Sequence, residues 1–171
     1  MNYCGAVARR SAGILLFRRS GGALELLLVH PGGPFWARKD DGAWSIPKGE
    51  YDEARDDPRA AALREFEEEL GQALAIAASA SASGGDDPLI ELGSVKQSGG
   101  KIVTAWAAEG DLDAGAVVSN TFELEWPPRS GRLQNFPEVD RAAWFSVDEA
   151  RVKILRGQLP FIDALVSTIK P

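Results

Sequence analysis

The stretch Arg64-Glu65-Phe66-Glu67-Glu68-Glu69-Leu70-Gly71, separated from Gly49 by fourteen residues, decides how this chain folds. On a helix, positions i, i+3 and i+4 lie on one face, so the carboxylates of Glu65, Glu68 and Glu69 are expected to lie together. Like charges at this spacing repel one another, and a bound cation would neutralise them. Because all of these ligands are oxygen atoms, they favour a hard divalent ion, Mg²⁺ or Mn²⁺.

The surrounding residues predict where this helix begins and ends, and which side of it is buried. Asp57 can accept a hydrogen bond at the N-cap, and Pro58 fits the first helical position because no N–H is needed there. Gly71 stands where a left-handed C-cap belongs, which is a structural role. The apolar stripe opposite the carboxylates consists of Leu63, Phe66 and Leu70. We therefore predict an amphipathic helix that packs one side on a core and exposes three carboxylates on the other.

These residues resemble the signature of the Nudix hydrolases. That signature runs Gly, five residues, Glu, seven residues, Arg-Glu, an aliphatic residue, any residue, Glu-Glu, any residue, Gly and an aliphatic residue. The matching positions of this chain, in order, are Gly49, Arg64, Glu65, Phe66, Glu68, Glu69 and Gly71. The Arg-Glu-x-x-Glu-Glu-x-Gly core is specific, and a looser similarity extends through most of the chain.

The chain departs from the signature at three places. The interval between Gly49 and Arg64 is one residue longer than in the signature, and the last aliphatic position holds Gln72. The loop Glu that pairs with the signature Arg in this family is missing, and Asp56 is its nearest substitute. We therefore expect a structural role for both Arg64 and Asp56, with Arg64 orienting either Asp56 or Glu68.

The resemblance implies an α/β fold, the Nudix-type α/β/α sandwich with a mixed β-sheet, formed by residues 1–171 as a single domain. It also implies the metal ligands, which are the carbonyl of Gly49 and the carboxylates of Glu65, Glu68, Glu69 and Glu138. The expected catalytic residues are Glu65, Glu68 and Glu138, and either Glu65 or Glu138 would take a proton from the attacking water. On the sequence alone, Glu138 could equally be a surface loop acid.

Strands are predicted on both sides of the helix. The pattern places them at residues 11–18, 24–30, 44–46, 89–95, 101–108 and 141–145. Ser146 and Glu149 form a capping box for a helix at 147–155, and a last helix covers 158–169. Residues 73–83 are ambiguous, and residues 119–137 are interpreted as a long connector. This order predicts a mixed sheet between helical layers.

Composition excludes several classes of protein. A chain of 171 residues, 44% hydrophobic and 26% charged, suits one globular domain. Its formal net charge of −6 argues against a nucleic-acid partner, and no apolar run approaches the ~20 residues of a membrane span. One cysteine, Cys4, cannot form an internal disulfide, which favours the cytoplasm. His30, the only histidine, is interpreted as structural, and a homodimer is left open.

Loop aromatics and cations indicate where a substrate would bind. Nucleobases stack on aromatic faces, although aromatic residues belong to the core more often than to a binding surface. Trp36 and Trp126 lie in polar loops near Arg38 and Arg129, and Lys48 stands beside the acidic helix as a candidate phosphate contact. These five residues are the predicted substrate-binding set.

The resulting prediction is metal-dependent hydrolysis of a nucleoside diphosphate linked to another group. The Pro47-Lys48-Gly49 form resembles dinucleoside polyphosphate hydrolases more than nucleotide-pool sanitising members, which favours a substrate like diadenosine tetraphosphate. The alternative enzymes are a nucleotide-pool sanitising NTP pyrophosphatase and an ADP-ribose hydrolase. The alternatives of other classes are a non-catalytic Nudix module that binds a nucleotide as a sensor, and an interaction domain whose acids are merely exposed.

Overall fold

A six-stranded sheet, a two-stranded hairpin and three α-helices form the regular structure of the described residues. The computed structural model describes residues 8–75 and 87–169, so Cys4 and residues 76–83 of the ambiguous segment lie outside it. The strands are β1 (Arg10–Ser20), β2 (Ala23–Pro31), β3 (Lys48–Glu50), β4 (Ile90–Lys96), β5 (Ile102–Glu109), β6 (Thr121–Glu125), β7 (Leu133–Pro137) and β8 (Val139–Ser146). The helices are α1 (Pro58–Leu70), α2 (Val147–Lys153) and α3 (Leu159–Thr168).

The sheet is mixed, as predicted. Its strand order is β4-β5-β1-β2-β8, and β3 also pairs with β1. The β1–β5 pair is parallel, whereas the pairs of β1 with β2 and β3, of β2 with β8 and of β4 with β5 are antiparallel. The short strand β3 therefore lies beside the amino-terminal half of β1, and it leads towards α1.

Two apolar layers cover the two faces of this sheet. Along β1, Leu15 and Phe17 belong to one buried cluster, whereas Ile14 and Leu16 belong to the other. This alternation follows from the two-residue period of a strand. The first cluster includes buried residues of α2 and α3, and the second includes buried residues of α1. Helices thus cover both faces, which confirms the α/β/α sandwich.

Helix α1 has the boundaries that its sequence predicts. Asp57 accepts a hydrogen bond from the Ala60 backbone N–H at 2.9 Å, and Pro58 is the first helical residue. Gly71 ends the helix in the left-handed conformation at φ 65°, and its N–H donates to the Glu67 carbonyl. Phe66 and Leu70 are fully buried. The apolar stripe is therefore fixed on the core, and the carboxylates lie on the remaining surface.

The interpretation of residues 119–137 as a connector is wrong. This segment contains β6 and β7, which pair with each other as a separate two-stranded antiparallel hairpin. The reason is a two-residue alternation in β6, where half-buried Phe122 and Leu124 alternate with exposed Glu123 and Glu125. The segment is therefore an ordered projection from the sandwich.

Helix α2 is shorter than predicted. Its capping box at Ser146 and Glu149 is confirmed, but the helix ends at Lys153. Ile154 instead forms a parallel bridge with Trp44, and the Leu155 N–H donates to the Trp44 carbonyl at 2.7 Å. The helix ends there because its next backbone groups pair with the segment before β3. In the described ranges, no helix is long and apolar enough to span a membrane.

Candidate active site

The close contact of β3 with α1 fixes the position of Glu65. Gly49 pairs with Ala12 in the β1–β3 ladder. The Glu65 side chain fills the space where a Cβ atom of residue 49 would lie. A Cβ atom at Gly49 would overlap the Glu65 carboxylate, so glycine is required here by space. The Glu65 side chain is only 15% exposed. The signature glycine thus allows the first carboxylate of α1 to pack against the strand.

Arg64 orients the carboxylates of α1. Its Nη2 donates to Glu65 Oε1 at 2.9 Å, and its Nε lies 3.8 Å from Glu68 Oε1. The hydrogen bond to Glu65 raises the pKa of Arg64. The predicted pairing of Arg64 with Glu68 is therefore found, whereas Asp56 has a different partner: it accepts from the Asp52 N–H at 3.0 Å. Asp56 closes its own loop, and Arg64 instead binds the neighbouring Glu65.

Glu69 is buried more deeply than predicted. Its Oε2 accepts a hydrogen bond from the Lys48 backbone N–H at 3.0 Å, so the side chain lies under β3. Burial, with the negative charges of Glu138 and Glu65, raises the pKa of Glu69 to about 7, against the opposing effect of Lys48. The expectation that all three carboxylates are exposed is therefore wrong. Helix α1 packs against β3 through the side that carries Glu65 and Glu69.

The Lys48 side chain leaves β3 on the face opposite to α1. A Cβ atom built on its pairing partner Gly13 would lie 2.7 Å from Lys48 Cβ, so both point to one face, whereas the neighbouring Gly49 faces Glu65. Desolvation lowers the pKa of Lys48, and the positive charge of Lys101 acts in the same direction. Within the described ranges, no carboxylate lies within 4.0 Å of the Lys48 ammonium group. That group is therefore largely withdrawn from solvent, and it has no ion-pair partner among these residues.

Glu138 joins this group from a distant part of the chain. It lies between β7 and β8, where its N–H donates to the Asn120 carbonyl at 2.8 Å and its carbonyl accepts from the Gly32 N–H at 3.0 Å. Desolvation raises the pKa of Glu138, and so do the charges of Glu65 and Glu68. The structure thus brings Glu138 within electrostatic range of α1.

The chemistry of these four carboxylates fits a hard divalent cation. They provide oxygen atoms only. Desolvation raises the pKa of both Glu69 and Glu138, and repulsion among the carboxylates, which a cation would relieve, raises these pKa values further. In the part of the chain that the structure describes, no three or more His, Cys, Asp or Glu side chains already converge as a metal cage. Arg64 binds Glu65 and the Lys48 N–H binds Glu69, so an ion would replace or supplement these contacts.

The predicted aromatic residues lie on two different surfaces. Trp126, just after β6, contacts Phe35 edge to face, with ring centroids 5.4 Å apart, and Phe35 is 59% exposed. Trp36 is half-buried against the core on the α2 and α3 side, and Lys39 Nζ lies 4.7 Å from its ring centroid. Phe35 was not in the predicted set, although an aromatic residue beside Trp36 was a signal in the sequence.

The predicted loop arginines are exposed. Arg38 has no carboxylate within 4.0 Å among the described residues, and it lies in the segment between β2 and β3. Arg129 lies in the turn of the β6–β7 hairpin with φ 64°, a left-handed conformation that is uncommon outside glycine. Arg38 therefore lies in the same loop as Phe35, and Arg129 lies in the same turn region as Trp126.

The sequence matches one family model along most of its length. That model is described as the NUDIX domain, and it matches residues 7–165. No curated protein is similar enough to this sequence to count as a match.

Solved structures show the same fold at low sequence identity. The NUDIX domain of Shewanella oneidensis NrtR, solved in complex with ADP ribose, has a TM-score of 0.63 at 16% identity, covering 96% of this chain and 90% of that one. An Ap4A hydrolase binary complex from C. elegans has a TM-score of 0.57 at 21% identity, covering 95% and 98%. A mutT/nudix family protein from Listeria innocua has a TM-score of 0.58 at 20% identity, covering 96% of each chain.

Proposed function

Since this chain belongs to the Nudix family of hydrolases, whose members generally use divalent metal ions, we propose that it is a metal-dependent pyrophosphohydrolase. Its substrate is a nucleoside diphosphate linked to another group, with diadenosine tetraphosphate as the model compound and Mg²⁺ or Mn²⁺ as the ion. One observation carries the proposal: the packing of α1 on β3 places the Glu65 carboxylate against Gly49 and the Glu69 carboxylate on the Lys48 N–H, and the charge of Glu138 is close enough to act on Glu69.

The ion would be held by the carboxylates of Glu65, Glu68, Glu69 and Glu138 and by the carbonyl of Gly49. When bound, it neutralises phosphate charge and activates water for attack on phosphorus. Arg64 keeps Glu65 and Glu68 oriented towards this surface, and the Lys48 N–H holds Glu69. These contacts pre-organise the ligands without binding substrate themselves.

Glu138 is the general base in this proposal, and Glu65 is a ligand. The Glu65 carboxylate is occupied by Arg64 and packed against Gly49, so it has little freedom to receive a proton. Glu138 lies at the end of a hairpin and has a raised pKa, which brings it closer to the value that suits a base near neutral pH. The proton from the attacking water therefore passes to a Glu138 oxygen.

Exposed Phe35, half-buried Trp126 and the loop cations supply substrate binding. Trp126 and Phe35 present ring surface at the hairpin, and nucleobases stack on such surfaces. Arg38 and Arg129 add positive charge on the loops that carry these rings, and Lys48, whose ammonium group has no carboxylate within 4.0 Å among the described residues, is the predicted phosphate contact. A polyphosphate needs such cations in a protein of net charge −6.

A second candidate substrate is ADP-ribose. The NrtR domain that resembles this chain was solved with ADP ribose, and its TM-score of 0.63 supports the inclusion of this compound. A nucleotide-pool sanitising activity on NTPs is the other enzymatic alternative, and a nucleotide sensor without turnover is the non-enzymatic one. The same experiment separates all four.

That experiment separates and quantifies the nucleotide products formed from diadenosine tetraphosphate, ADP-ribose, dGTP and 8-oxo-dGTP, with Mg²⁺, with Mn²⁺ and with EDTA. We expect metal-dependent turnover, with the highest kcat/KM for diadenosine tetraphosphate. Preference for another compound would reject the substrate but keep the hydrolase. If the protein bound a nucleotide but hydrolysed none of the four compounds with either metal ion, the hydrolase would be rejected in favour of the sensor.

Four expectations from the sequence belong to the same proposal. The ligand is a small molecule rather than a nucleic acid or a membrane, and residues 1–171 form a single domain. The protein acts in the cytoplasm, and a homodimer is open to a sizing measurement. The net charge of −6 and the acidic site support the first of these, because nucleic-acid binding needs a basic surface.

A further inference from the structure

His30 forms two short hydrogen bonds in the interior of the protein. It lies near the end of β2, it is 0% exposed, and it is the only histidine of the chain. Its Nδ1 lies 2.8 Å from Asp140 Oδ1, and its Nε2 lies 2.7 Å from the backbone carbonyl oxygen of Lys39. The Trp44 ring packs against the imidazole edge to face, with centroids 5.2 Å apart. The ring is therefore enclosed and bound on both sides.

The two partners of His30 determine its protonation. A carboxylate and a peptide carbonyl both accept hydrogen bonds, and neither has a proton to give. A neutral imidazole carries one N–H, so it could donate to only one of them. Both bonds form together when the ring carries both protons, and the Asp140 carboxylate then balances the buried positive charge.

The charged groups around the ring are compatible with this state. Asp140 and Arg141 lie on β8, and Arg141 Nε is 3.6 Å from Asp140 Oδ1. Asp40 lies next to Lys39 and accepts from Trp44 Nε1 at 2.8 Å, and Lys153 of α2 binds Asp40 at 2.6 Å. Asp140 thus has Arg141 beside it, and Asp40 has Lys153. A protonated His30 would be the second positive partner of Asp140.

The two bonds of His30 connect two parts of the candidate active site. Lys39 lies in the segment between β2 and β3, which also carries Phe35 and Arg38. Asp140 follows Glu138 by two residues, at the start of β8. Glu138 is further joined to β2's end through the bond from the Gly32 N–H. One imidazole therefore holds the predicted substrate-binding segment and the strand of the predicted base at a fixed separation.

We propose that His30 is a positioning residue, an imidazolium clamp that fixes the segment of Phe35 and Arg38 relative to Glu138. The kinetic part of this proposal rests on the proposed function. The Nε2–Lys39 bond acts on substrate binding, and the Nδ1–Asp140 bond acts on the base.

The protonation of His30 can be tested without any activity. Because the protein without an affinity tag contains one histidine, ¹⁵N-histidine labelling gives a single imidazole in an NMR spectrum. We expect both ring nitrogens to carry slowly exchanging protons and to show the nitrogen shifts of an imidazolium. A neutral ring with one protonated nitrogen at the pH of the assay would overturn the clamp.

Two substitutions separate the two bonds. When Asn replaces His30, its amide nitrogen lies close to the former position of the histidine Nδ1. When Gln replaces His30, its amide nitrogen lies close to the former position of Nε2. His30→Asn should keep the Asp140 bond and lose the Lys39 bond, so KM rises about tenfold, the loss expected for one hydrogen bond to a charged group, with kcat nearly unchanged. His30→Gln should do the reverse, with kcat lowered and KM nearly unchanged.

The outcomes distinguish this proposal from a merely structural histidine. If both variants changed kcat and KM alike, in proportion to a fall in Tm, positioning would be rejected. If neither variant folded, the NMR spectrum of the wild-type protein would still decide the protonation that the clamp requires. If the wild-type protein hydrolysed no compound of the panel, the proposed function would fail, and the spectrum would still test the clamp.

Discussion

The carboxylate of Glu65 occupies the space in which a side chain at Gly49 would begin. This relationship makes a glycine in a strand and an acid on a helix depend on each other, although fifteen positions separate them. The glycine is needed for its missing Cβ, and the acid is needed for its oxygen atoms. Several expected outcomes follow from this contact and from its neighbours.

Gly49→Ala should lower kcat by about 100-fold or more, because the new methyl group displaces the Glu65 carboxylate, and a shift of about 1 Å can have that effect. Steady-state kinetics at saturating Mg²⁺ checks this, with circular dichroism to show that the variant is folded. Gly157→Ala is the matched control, since its Cβ would meet its nearest atom at an ordinary 3.4 Å. Equal activity of both variants would contradict the tight contact.

Glu68→Gln should lower kcat by at least ~100-fold, because it removes one negative ligand and keeps the shape of the side chain. Glu68 is 46% exposed, so the fold has little need of its charge. Glu67→Gln, one residue away on the same helix and also exposed, should leave kcat within about twofold, which makes it the control. Near wild-type activity of Glu68→Gln at saturating Mg²⁺ would show that Glu68 is not an essential ligand.

The stability of the metal-free protein should fall as the pH rises from about 4.5 to about 7. Glu69 has a folded pKa of about 7, above its ordinary value of 4.5, so the folded state holds this proton more tightly than the unfolded state. The stabilising contribution is therefore complete below pH 4.5, and it is lost as the pH passes through 7. At most about 3 kcal/mol is involved, from about 1.4 kcal/mol for each pH unit.

Urea unfolding in EDTA at pH 5 and pH 8 measures this effect. Glu69→Gln should reduce the difference in free energy of unfolding between the two pH values, because Gln has no proton to lose and still accepts from the Lys48 N–H. Glu67→Gln should leave the difference as it is in the wild-type protein. If the free energy of unfolding of Glu69→Gln still differed between pH 5 and pH 8 as in the wild-type protein, the pH dependence would have to come from another group.

Divalent metal should raise the Tm. An ion that binds only the folded state adds RT ln(1 + [L]/Kd) to the stability, about 2.7 kcal/mol at a concentration 100 times Kd. Thermal melts in EDTA and in millimolar Mg²⁺ or Mn²⁺ check this, with Glu68→Gln expected to show a smaller shift. The same Tm with and without metal, in the presence and absence of nucleotide, would favour acids that are merely exposed.

Trp126→Ala should raise KM for diadenosine tetraphosphate by the equivalent of about 1–3 kcal/mol, the usual effect of losing one stacked base. It should leave kcat nearly unchanged, because Trp126 lies outside the carboxylate group. Leu133→Ala, on the paired strand of the same hairpin and also exposed, controls for a general loosening of β6 and β7. A fall in kcat with unchanged KM would remove Trp126 from the binding surface.

The parts of the fold that the sequence predicted depend on local chemistry. Asp57, Pro58 and Gly71 determine the ends of α1 through contacts within a few residues, so their effect can be read along the chain. The β6–β7 hairpin was missed because β7 shows mainly exposed residues, and a strand with two open faces has no clear apolar pattern. The alternation in β6 was the available signal.

The sequence predicted which carboxylates of α1 share a face, but it did not predict how deeply each one is buried. The spacing of Glu65, Glu68 and Glu69 states which face they share, but the packing of α1 on β3 decides that Glu69 lies beneath a backbone N–H. Asp56 was one of two expected partners of Arg64, yet the loop before α1 is one residue longer than in the signature, and Asp56 accepts from the Asp52 N–H instead. Such contacts depend on tertiary structure, which spacing alone does not contain.

Main-chain hydrogen bonds join the base of the β6–β7 hairpin to the sandwich. The Asn120 N–H donates to the Glu68 carbonyl at 3.4 Å, and the Glu138 N–H donates to the Asn120 carbonyl at 2.8 Å. Main-chain bonds of this kind are indifferent to side-chain identity. Substitutions between Asn120 and Glu138 therefore leave these two main-chain bonds in place, so the surface of the hairpin can vary in sequence while the backbone position of Glu138 is kept.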